Sequence, residues 1–228
     1  MNTLDLADTT VRYEVCGDGD PVMLLHANPF VGMPHYSFVR YTRLPRDDTP
    51  LSMARDAATC AQLAEHLGWE RAHVVGHSAG ALAALQLAVD APDFVHTLCL
   101  LEPAVASPST DQPEHEGDNP FAPIMEAYAR GDHETAIERF LELVCGAGSR
   151  AVLEQAVPRA FEHAVQACDL FLRVEAPAIL ESAEFTKELA ERVKAPVLNV
   201  VGERSKSGFV ASRSLRLRQS RFKGPPRV

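Results

Sequence analysis

One pentapeptide of this sequence has the residue types and spacing of a nucleophilic site. It is Gly76-His77-Ser78-Ala79-Gly80, which follows an apolar run and precedes a segment rich in alanine and leucine. In a G-x-S-x-G turn the glycines let the chain bend sharply from strand to helix, so the serine hydroxyl is exposed at the carboxyl edge of a sheet. The N–H of the next residue, Ala79, then lies at a helix N-terminus, where it can hold an oxyanion. The pattern predicts acyl transfer with Ser78 as nucleophile; the alternative is a glycine-rich turn with an ordinary serine.

The segments around this pentapeptide predict alternating strands and helices. Short β-rich runs occur at residues 11–15, 22–25, 38–41, 73–75, 97–101 and 197–201. Most of them are apolar over their whole length, which is typical of parallel strands buried on both faces. Thr49 and Pro50 predict the start of a helix that ends at Gly68, and a second helix is predicted from residue 79 to about residue 89. The alternation predicts an α/β fold with a mostly parallel, doubly wound sheet.

The pattern changes after the fifth of these runs. Residues 105–120 are rich in proline and acidic residues and predict a loop, whereas residues 121–193 have helical periodicity throughout. Several helices inserted between two strands indicate a cap over the sheet. We therefore expect a core formed by residues 1–104 and 194–203, a helical cap at 105–193, and a separate tail at 204–228.

With these elements in place, the chain resembles the α/β-hydrolase superfamily over about residues 9–105 and 195–204. The resemblance rests on the stretches 17–29 (GDGDPVMLLHANP), 71–80 (RAHVVGHSAG), 100–104 (LLEPA) and 195–202 (APVLNVVG). They look like the third, fifth, sixth and seventh strands of that fold, and members usually carry a helical cap after the sixth strand.

The resemblance implies further site residues. In the family, the segment after the third strand is typically His-Gly followed by a second oxyanion donor, which falls on Asn28 here, with Ala27 in place of the glycine. A serine needs a base and a carboxylate that orients that base. The family takes this acid from the end of the seventh strand, where Ser205 stands in this chain with Glu203 nearby, or from the end of the sixth. We therefore assign the acid to Glu102; the alternative is a loop carboxylate with no special partner.

Two parts of the family pattern are missing from this sequence. The family histidine follows an eighth strand near the C-terminus, but no histidine follows His163. His26 and His77 occupy motif positions that the family uses structurally, so no base is assigned. In addition, residues 27–36 are too few for a parallel crossover, which needs about a dozen residues or more. We expect the last strand, and also the first helix of the fold, to be absent.

The charge of the chain changes sign where the hydrolase pattern ends. All 31 acidic residues lie in residues 1–203, so that part has a net charge of −17, whereas residues 204–228 have +8. Three explanations of this basic tail stay open: translation in a shifted frame, a solvated terminus, or a polyanion-binding arm. The first would make the chain a shortened hydrolase.

Composition excludes several other classes of function. The chain is 46% hydrophobic, has no leader-like N-terminus or long apolar run, and is acidic, so we expect a cytoplasmic protein with no membrane and no nucleic-acid partner. Its five cysteines are scattered without a CxxC, which argues against disulfides and a metal site. Gly17-x-Gly19 precedes a strand rather than a helix, so no dinucleotide cofactor is predicted.

The predicted partner is therefore a small-molecule substrate, with the oligomeric state open and no cofactor. The predicted function is hydrolysis of an ester, lactone or related acyl bond, impaired if the base is absent. Two alternatives stay open: a non-catalytic protein that binds a small molecule under the cap, or a partial chain that does not fold stably.

Overall fold

The structure is a computed structural model that describes residues 2–25, 39–45, 52–104, 119–182, 186–203 and 205. Several predictions lie outside these residues: Asn28 as oxyanion donor, the absence of the first helix, the absence of the last strand, and all of the tail beyond residue 205.

Seven strands of the described chain form one sheet in the order β1-β2-β4-β3-β5-β6-β7. The pairs β1–β2 and β2–β4 are antiparallel, and the neighbours from β4 through β3, β5 and β6 to β7 are parallel. The predicted, mostly parallel sheet is confirmed. The strands are β1 (Asn2–Asp5), β2 (Thr9–Glu14), β3 (Val22–Leu25), β4 (Val39–Pro45), β5 (Ala72–His77), β6 (Val95–Leu101) and β7 (Val197–Val200).

Strand β1 has no counterpart among the predicted strands. Its residues are largely exposed and lie at the edge of the sheet, where pairing with β2 through the backbone holds them. Such a strand has no apolar run because only Leu4 packs against the core, and its other three residues are exposed. The predicted run at 38–41 corresponds to β4, which is longer.

Two helices pack together beside the central strands. Helix α1 (Met53–His66) begins at Ser52, whose hydroxyl accepts a hydrogen bond from the N–H of Arg55 at 3.2 Å. The predicted start at Thr49 and Pro50 is therefore wrong, because an extended Ser52 is the residue that caps the first turn. The helix ends as predicted before Gly68, which has a φ of 69°. Helix α2 (Ala79–Asp90) is buried along most of its length.

The hydrophobic core of the sheet lies between these helices and strands β3, β5 and β6. It includes Met23, Leu63, Leu85, Leu98 and Leu100, each with at most 1% of its surface exposed. Burial of a large aliphatic side chain contributes about 1.5–3 kcal/mol. Helix α9 (Lys187–Arg192) packs against α2 and contributes to the same cluster. This core fixes the strands whose carboxyl ends carry the predicted site.

A second hydrophobic cluster is built by the helices between β6 and α9. These are α3 (Ala122–Ala129), α4 (His133–Cys145), α5 (Ser149–Ala156), α6 (Ala160–Gln166), α7 (Cys168–Leu170) with a π-helical turn at Phe171–Glu175, and α8 (Ala176–Ser182). Ile124, Ile137 and Leu141 are among its buried residues, and Ile179 packs against both clusters. The limits of a cap at 105–193 stay a prediction. In the part of the chain that the structure describes, no helix has the length and apolar composition needed to span a bilayer.

Candidate active site

The predicted G-x-S-x-G motif forms a sharp turn between β5 and α2. Ser78 lies between the last residue of β5 and the first of α2, with φ 53° and ψ −119°. L-residues rarely adopt this conformation, and holding a non-glycine residue there costs on the order of 1–3 kcal/mol. Such strain persists only where the surrounding structure fixes the backbone, so the turn is held in place by its neighbours.

Gly76 allows the helix to approach the strand closely. A Cβ atom at this position would lie 2.6 Å from Cα of Ala81 and 2.7 Å from the carbonyl oxygen of Gly80. Real Cβ atoms essentially never come so close to backbone atoms, so only glycine fits. The requirement for a glycine two residues before the serine is therefore steric.

The main chain of Ser78 is tied to the neighbouring strand. Its N–H donates to the carbonyl oxygen of Leu101 at 3.0 Å, and its carbonyl accepts from the N–H groups of Ala81 at 3.0 Å and Ala104 at 3.3 Å. Its hydroxyl makes no capping hydrogen bond with α2. Ala79 begins that helix, so its N–H is one of the N-terminal donors that have no acceptor within the helix. The backbone is thus fixed while the hydroxyl is not used in capping.

Glu102 occupies the equivalent position at the end of the next strand. His77 of β5 pairs with Leu101 of β6, so Ser78 and Glu102 each follow the last residue of their strand at the same sheet edge. Glu102 also has a positive φ, 48°, and its N–H donates to the carbonyl oxygen of Val200 at 2.9 Å. The structure therefore brings the predicted nucleophile and the predicted acid to adjacent turns.

The carboxylate of Glu102 is held by the loop that follows β7. Its Oε1 atom accepts hydrogen bonds from the N–H of Gly202, at 2.6 Å, and from the hydroxyl of Ser205. Among the described residues, Oε2 has no hydrogen-bond partner. Ser205 is the position at which the family usually has its aspartate, so both possible acid positions meet here in one hydrogen-bonded group.

His77 is the histidine nearest to these turns in sequence. The residue is exposed, yet partial desolvation of its ring lowers its pKa, an effect that the negative charge of Glu102 opposes. The imidazole is therefore within electrostatic reach of Glu102. Among the described residues, no histidine forms a hydrogen bond with Ser78 or Glu102.

Other described histidines have contacts elsewhere in the molecule. His66 lies 3.1 Å from the hydroxyl of Tyr13, the Nδ1 atom of His73 lies 2.7 Å from Oγ1 of Thr97, and His133 stacks on Tyr128. The catalytic base therefore stays unassigned. Within the described ranges, no group of three or more His, Cys, Asp or Glu residues is arranged to hold a metal ion.

Two features of this site were beyond prediction from the motif alone. One is the positive φ of Glu102, and the other is the pair of donors, Gly202 and Ser205, on its carboxylate. The one available signal was that Ser205 stands at the position where the family usually has its aspartate.

Comparison with known proteins agrees with this arrangement. A family model described as the alpha/beta hydrolase fold matches residues 31–142, which include β5, the Ser78 turn, α2 and β6. The match therefore contains both turns of the candidate site.

Solved structures similar to this chain extend over nearly all of it. An alpha/beta hydrolase from Sphaerobacter thermophilus is 21% identical with a TM-score of 0.67, covering 93% of this chain and 87% of its own. A meta-cleavage product hydrolase from Pseudomonas fluorescens is 16% identical with a TM-score of 0.61, covering 96% and 87%. An N-acyl homoserine lactone degrading enzyme is 18% identical with a TM-score of 0.57, covering 89% and 82%.

At these identities the solved structures show only the fold. The family model matches the part of the sequence that contains the two turns. The strand order, the strained turn after β5 and these similarities agree with one another. The chain has the alpha/beta hydrolase fold, and over residues 31–142 it matches the family of that description.

Proposed function

We propose that this chain is a serine-nucleophile hydrolase that cleaves an ester, lactone or related acyl bond in a small molecule. The observation that supports this most strongly is the pair of strained residues at one sheet edge. Ser78 and Glu102 are two of only three non-glycine residues with positive φ in the described chain, and they follow adjacent parallel strands. Backbone strain of this kind concentrates at active sites.

In the proposed reaction, the Ser78 oxygen attacks the acyl carbon while a base takes its proton. The N–H of Ala79, together with that of Asn28, stabilises the negative charge that develops on the carbonyl oxygen. Glu102 orients the base through Oε2. The tetrahedral intermediate collapses, the alcohol leaves with the proton from the base, and water then hydrolyses the acyl-serine in the same way.

The substrate class follows from this chemistry. A neutral serine hydroxyl activated by a base attacks a carbonyl carbon, and N–H donors beside the serine can stabilise the charge that develops on the carbonyl oxygen. One structural relative degrades N-acyl homoserine lactones, which contain a cyclic ester. We extend to this chain only the class of acyl bond, in a small molecule.

A second candidate function has its own supporting observation. No histidine is hydrogen-bonded to Ser78 or Glu102 within the described residues, so the site can also be that of a non-catalytic protein that binds a small acyl compound. Such a protein would be stabilised by the compound without turning it over.

Hydrolysis of p-nitrophenyl acetate by the purified chain tests the proposal, with Ser78→Ala as the variant and Ser212→Ala as a matched control. Removal of a serine nucleophile reduces kcat by about 10⁴-fold or more, whereas we expect the control to behave as the wild type. A fluorophosphonate probe should also label Ser78, located by peptide mass spectrometry. Equal rates for wild type and Ser78→Ala would eliminate Ser78 as nucleophile, and saturable thermal stabilisation without turnover would favour the second candidate.

A further inference from the structure

We propose that Ser205 is a positioning residue for the acid of this site. Its hydroxyl, together with the N–H of Gly202, holds the Glu102 carboxylate by one oxygen and leaves the other to accept the N–H of the base. This inference rests on the proposed function, because an oriented acid matters only if a base is present to receive it.

The first argument is the number of contacts that fix Glu102. Its N–H is bonded to Val200, and its Oε1 accepts from both Gly202 and Ser205, all in or directly after β7. Strands β6 and β7 are parallel, with Leu101 opposite Val200, so the two loops leave the sheet side by side. The end of β7 and the loop after it therefore supply every described hydrogen bond to the backbone N–H and the carboxylate of this residue.

The second argument concerns the length of the side chain. A glutamate has more rotatable bonds than an aspartate, so fixing its side chain costs more conformational entropy. Glu102 is only half-buried, so packing alone does not select one rotamer. Two donors on the same oxygen do select one, because hydrogen bonds to a charged group are stronger than those between neutral groups.

The third argument is the asymmetry of the carboxylate. Both donors are on Oε1, and Oε2 has no partner among the described residues. A carboxylate has about four acceptor positions, so Oε2 can take an imidazole N–H without losing either existing bond. The two hydrogen bonds to Oε1 fix the plane of the group, and Oε2 is the oxygen that would accept from the base.

The loop itself is shaped around this arrangement. The N–H of Ser205 donates to the carbonyl oxygen of Gly202 at 3.3 Å, which closes a turn. A Cβ atom on residue 202 would lie 2.8 Å from Oγ of Ser205 and 3.0 Å from Oε1 of Glu102. Glycine at 202 therefore lets the backbone N–H and the Ser205 hydroxyl reach the same carboxylate oxygen.

The chemical type of residue 205 also matters. A hydroxyl can donate to a carboxylate, whereas a second carboxylate at this position would repel the first, and one of the two would bind a proton. Ser205 therefore supports an acid on β6 in a way that an aspartate could not. We expect Ser205→Asp to be more damaging to activity than Ser205→Ala.

The test measures kcat and KM for a p-nitrophenyl ester in the wild type, Ser205→Ala, Ser205→Thr, Glu102→Gln and the double variant Glu102→Gln with Ser205→Ala. Loss of a hydrogen bond to a charged group predicts a fall in kcat of about tenfold or more for Ser205→Ala, with KM unchanged. Ser205→Thr keeps the hydroxyl and should recover kcat to within about threefold of the wild type. In the Glu102→Gln background, Ser205→Ala should cause little further loss, since the two residues act as one unit.

Three outcomes would overturn the inference. If Ser205→Ala leaves kcat unchanged while Ser78→Ala abolishes activity, the positioning role is wrong and the proposed function stands. If Ser205→Ala causes the same loss with and without Glu102, or if Ser205→Thr is as inactive as Ser205→Ala, the effect of residue 205 is on the fold and not on the acid. If wild type and Ser78→Ala are equally inactive, the proposed function fails and the inference fails with it.

Discussion

Both ends of the β5–β6 strand pair carry polar residues of types that occur in active sites, but only the carboxyl end has residues with a positive φ. At the amino end a β-bulge interrupts the pairing, since Ala72 lies opposite Val95 while His73 lies opposite Thr97. The extra residue, His96, contacts His73 edge-on with ring centroids 4.7 Å apart. At the carboxyl end the same strands lead into Ser78 and Glu102.

In the described part of the chain three non-glycine residues have a positive φ, and none of them lies at the amino end of the β5–β6 pair. They are Ser78, Glu102 and Arg159, and Arg159 is on the surface in an ion pair with Glu162. His73 at the amino end has an ordinary φ and a hydrogen bond to Thr97. Residue types that can take part in catalysis therefore occur at both ends, but backbone strain occurs only at the carboxyl end. The comparison indicates that backbone conformation separates a site from a structural polar cluster better than residue type does.

The largest expected effect on activity comes from a substitution at the carboxyl end, which is compared with a substitution at the amino end. Glu102→Gln keeps a carbonyl oxygen that can accept from Gly202 and Ser205, but it replaces Oε2 by an NH₂ group that cannot accept from a base. We expect kcat for a p-nitrophenyl ester to fall by about a thousandfold. His73→Gln should change kcat by less than about twofold, because it is at the other end of the strand. Equal losses in the two variants would remove the distinction between the ends.

The second effect concerns the packing that supports the carboxyl end. Gly76→Ala would place a Cβ atom against the backbone of Ala81, so strand and helix must separate. Overpacking of this kind destabilises by about 1–3 kcal/mol or more, measured as the change in urea-unfolding free energy. Gly19→Ala is the control, since nothing lies within 4 Å of its added Cβ. A Gly76→Ala variant as stable as Gly19→Ala would contradict the close approach.

The third effect measures the strain directly. Ser78→Gly relieves an unfavourable φ but enlarges the conformational freedom of the unfolded chain, so the net gain in stability should be about 1 kcal/mol. Ser78→Ala retains the strain and should be no more stable than the wild type. Both variants should lack esterase activity. If Ser78→Gly is less stable than Ser78→Ala, the turn is not strained in solution.

The smallest effect is a pH dependence at His77. Desolvation lowers its pKa in the folded state, so near pH 6.5 the unfolded chain binds more protons than the folded chain. Stability should therefore fall as pH decreases from the unfolded pKa toward the lower, folded value. His77→Gln should lessen the loss of melting temperature between about pH 7.5 and about pH 5.5. An unchanged loss in the variant would show that other groups cause it.

The sequence allowed some of these elements to be predicted because their signals are local. The Ser78 turn follows from two glycines at fixed spacing, and α2 follows from an unbroken small-residue run. Strand β1 could not be predicted, since its exposed residues carry no pattern and only pairing with β2 defines it. Helix α1 starts later than Pro50 suggests because several residues there can serve as caps.

The contacts of Glu102 could not be predicted from local sequence patterns. Glu102 could be proposed as the acid from its place after a predicted strand. Its bond to Ser205, however, joins residues 103 positions apart, and it depends on the register of β6 against β7 and on the turn at Gly202. No periodicity or motif encodes that geometry. The strained φ of Glu102 is equally invisible in the sequence, since glutamate has no preference for it.

The hydrogen bonds that flank Glu102 have a consequence for how this site can change. Ser78 donates to Leu101 and accepts from Ala104, so its main chain closes a ring around the residue that carries the acid. The spacing between the two turns is therefore set by peptide groups that every amino acid possesses. A cysteine or aspartate at either position could therefore keep the same main-chain hydrogen bonds and the same spacing. The main chain fixes the positions of the two reactive groups, whereas the side chains determine which reaction they perform. These two positions are therefore suitable targets for introducing a different reaction.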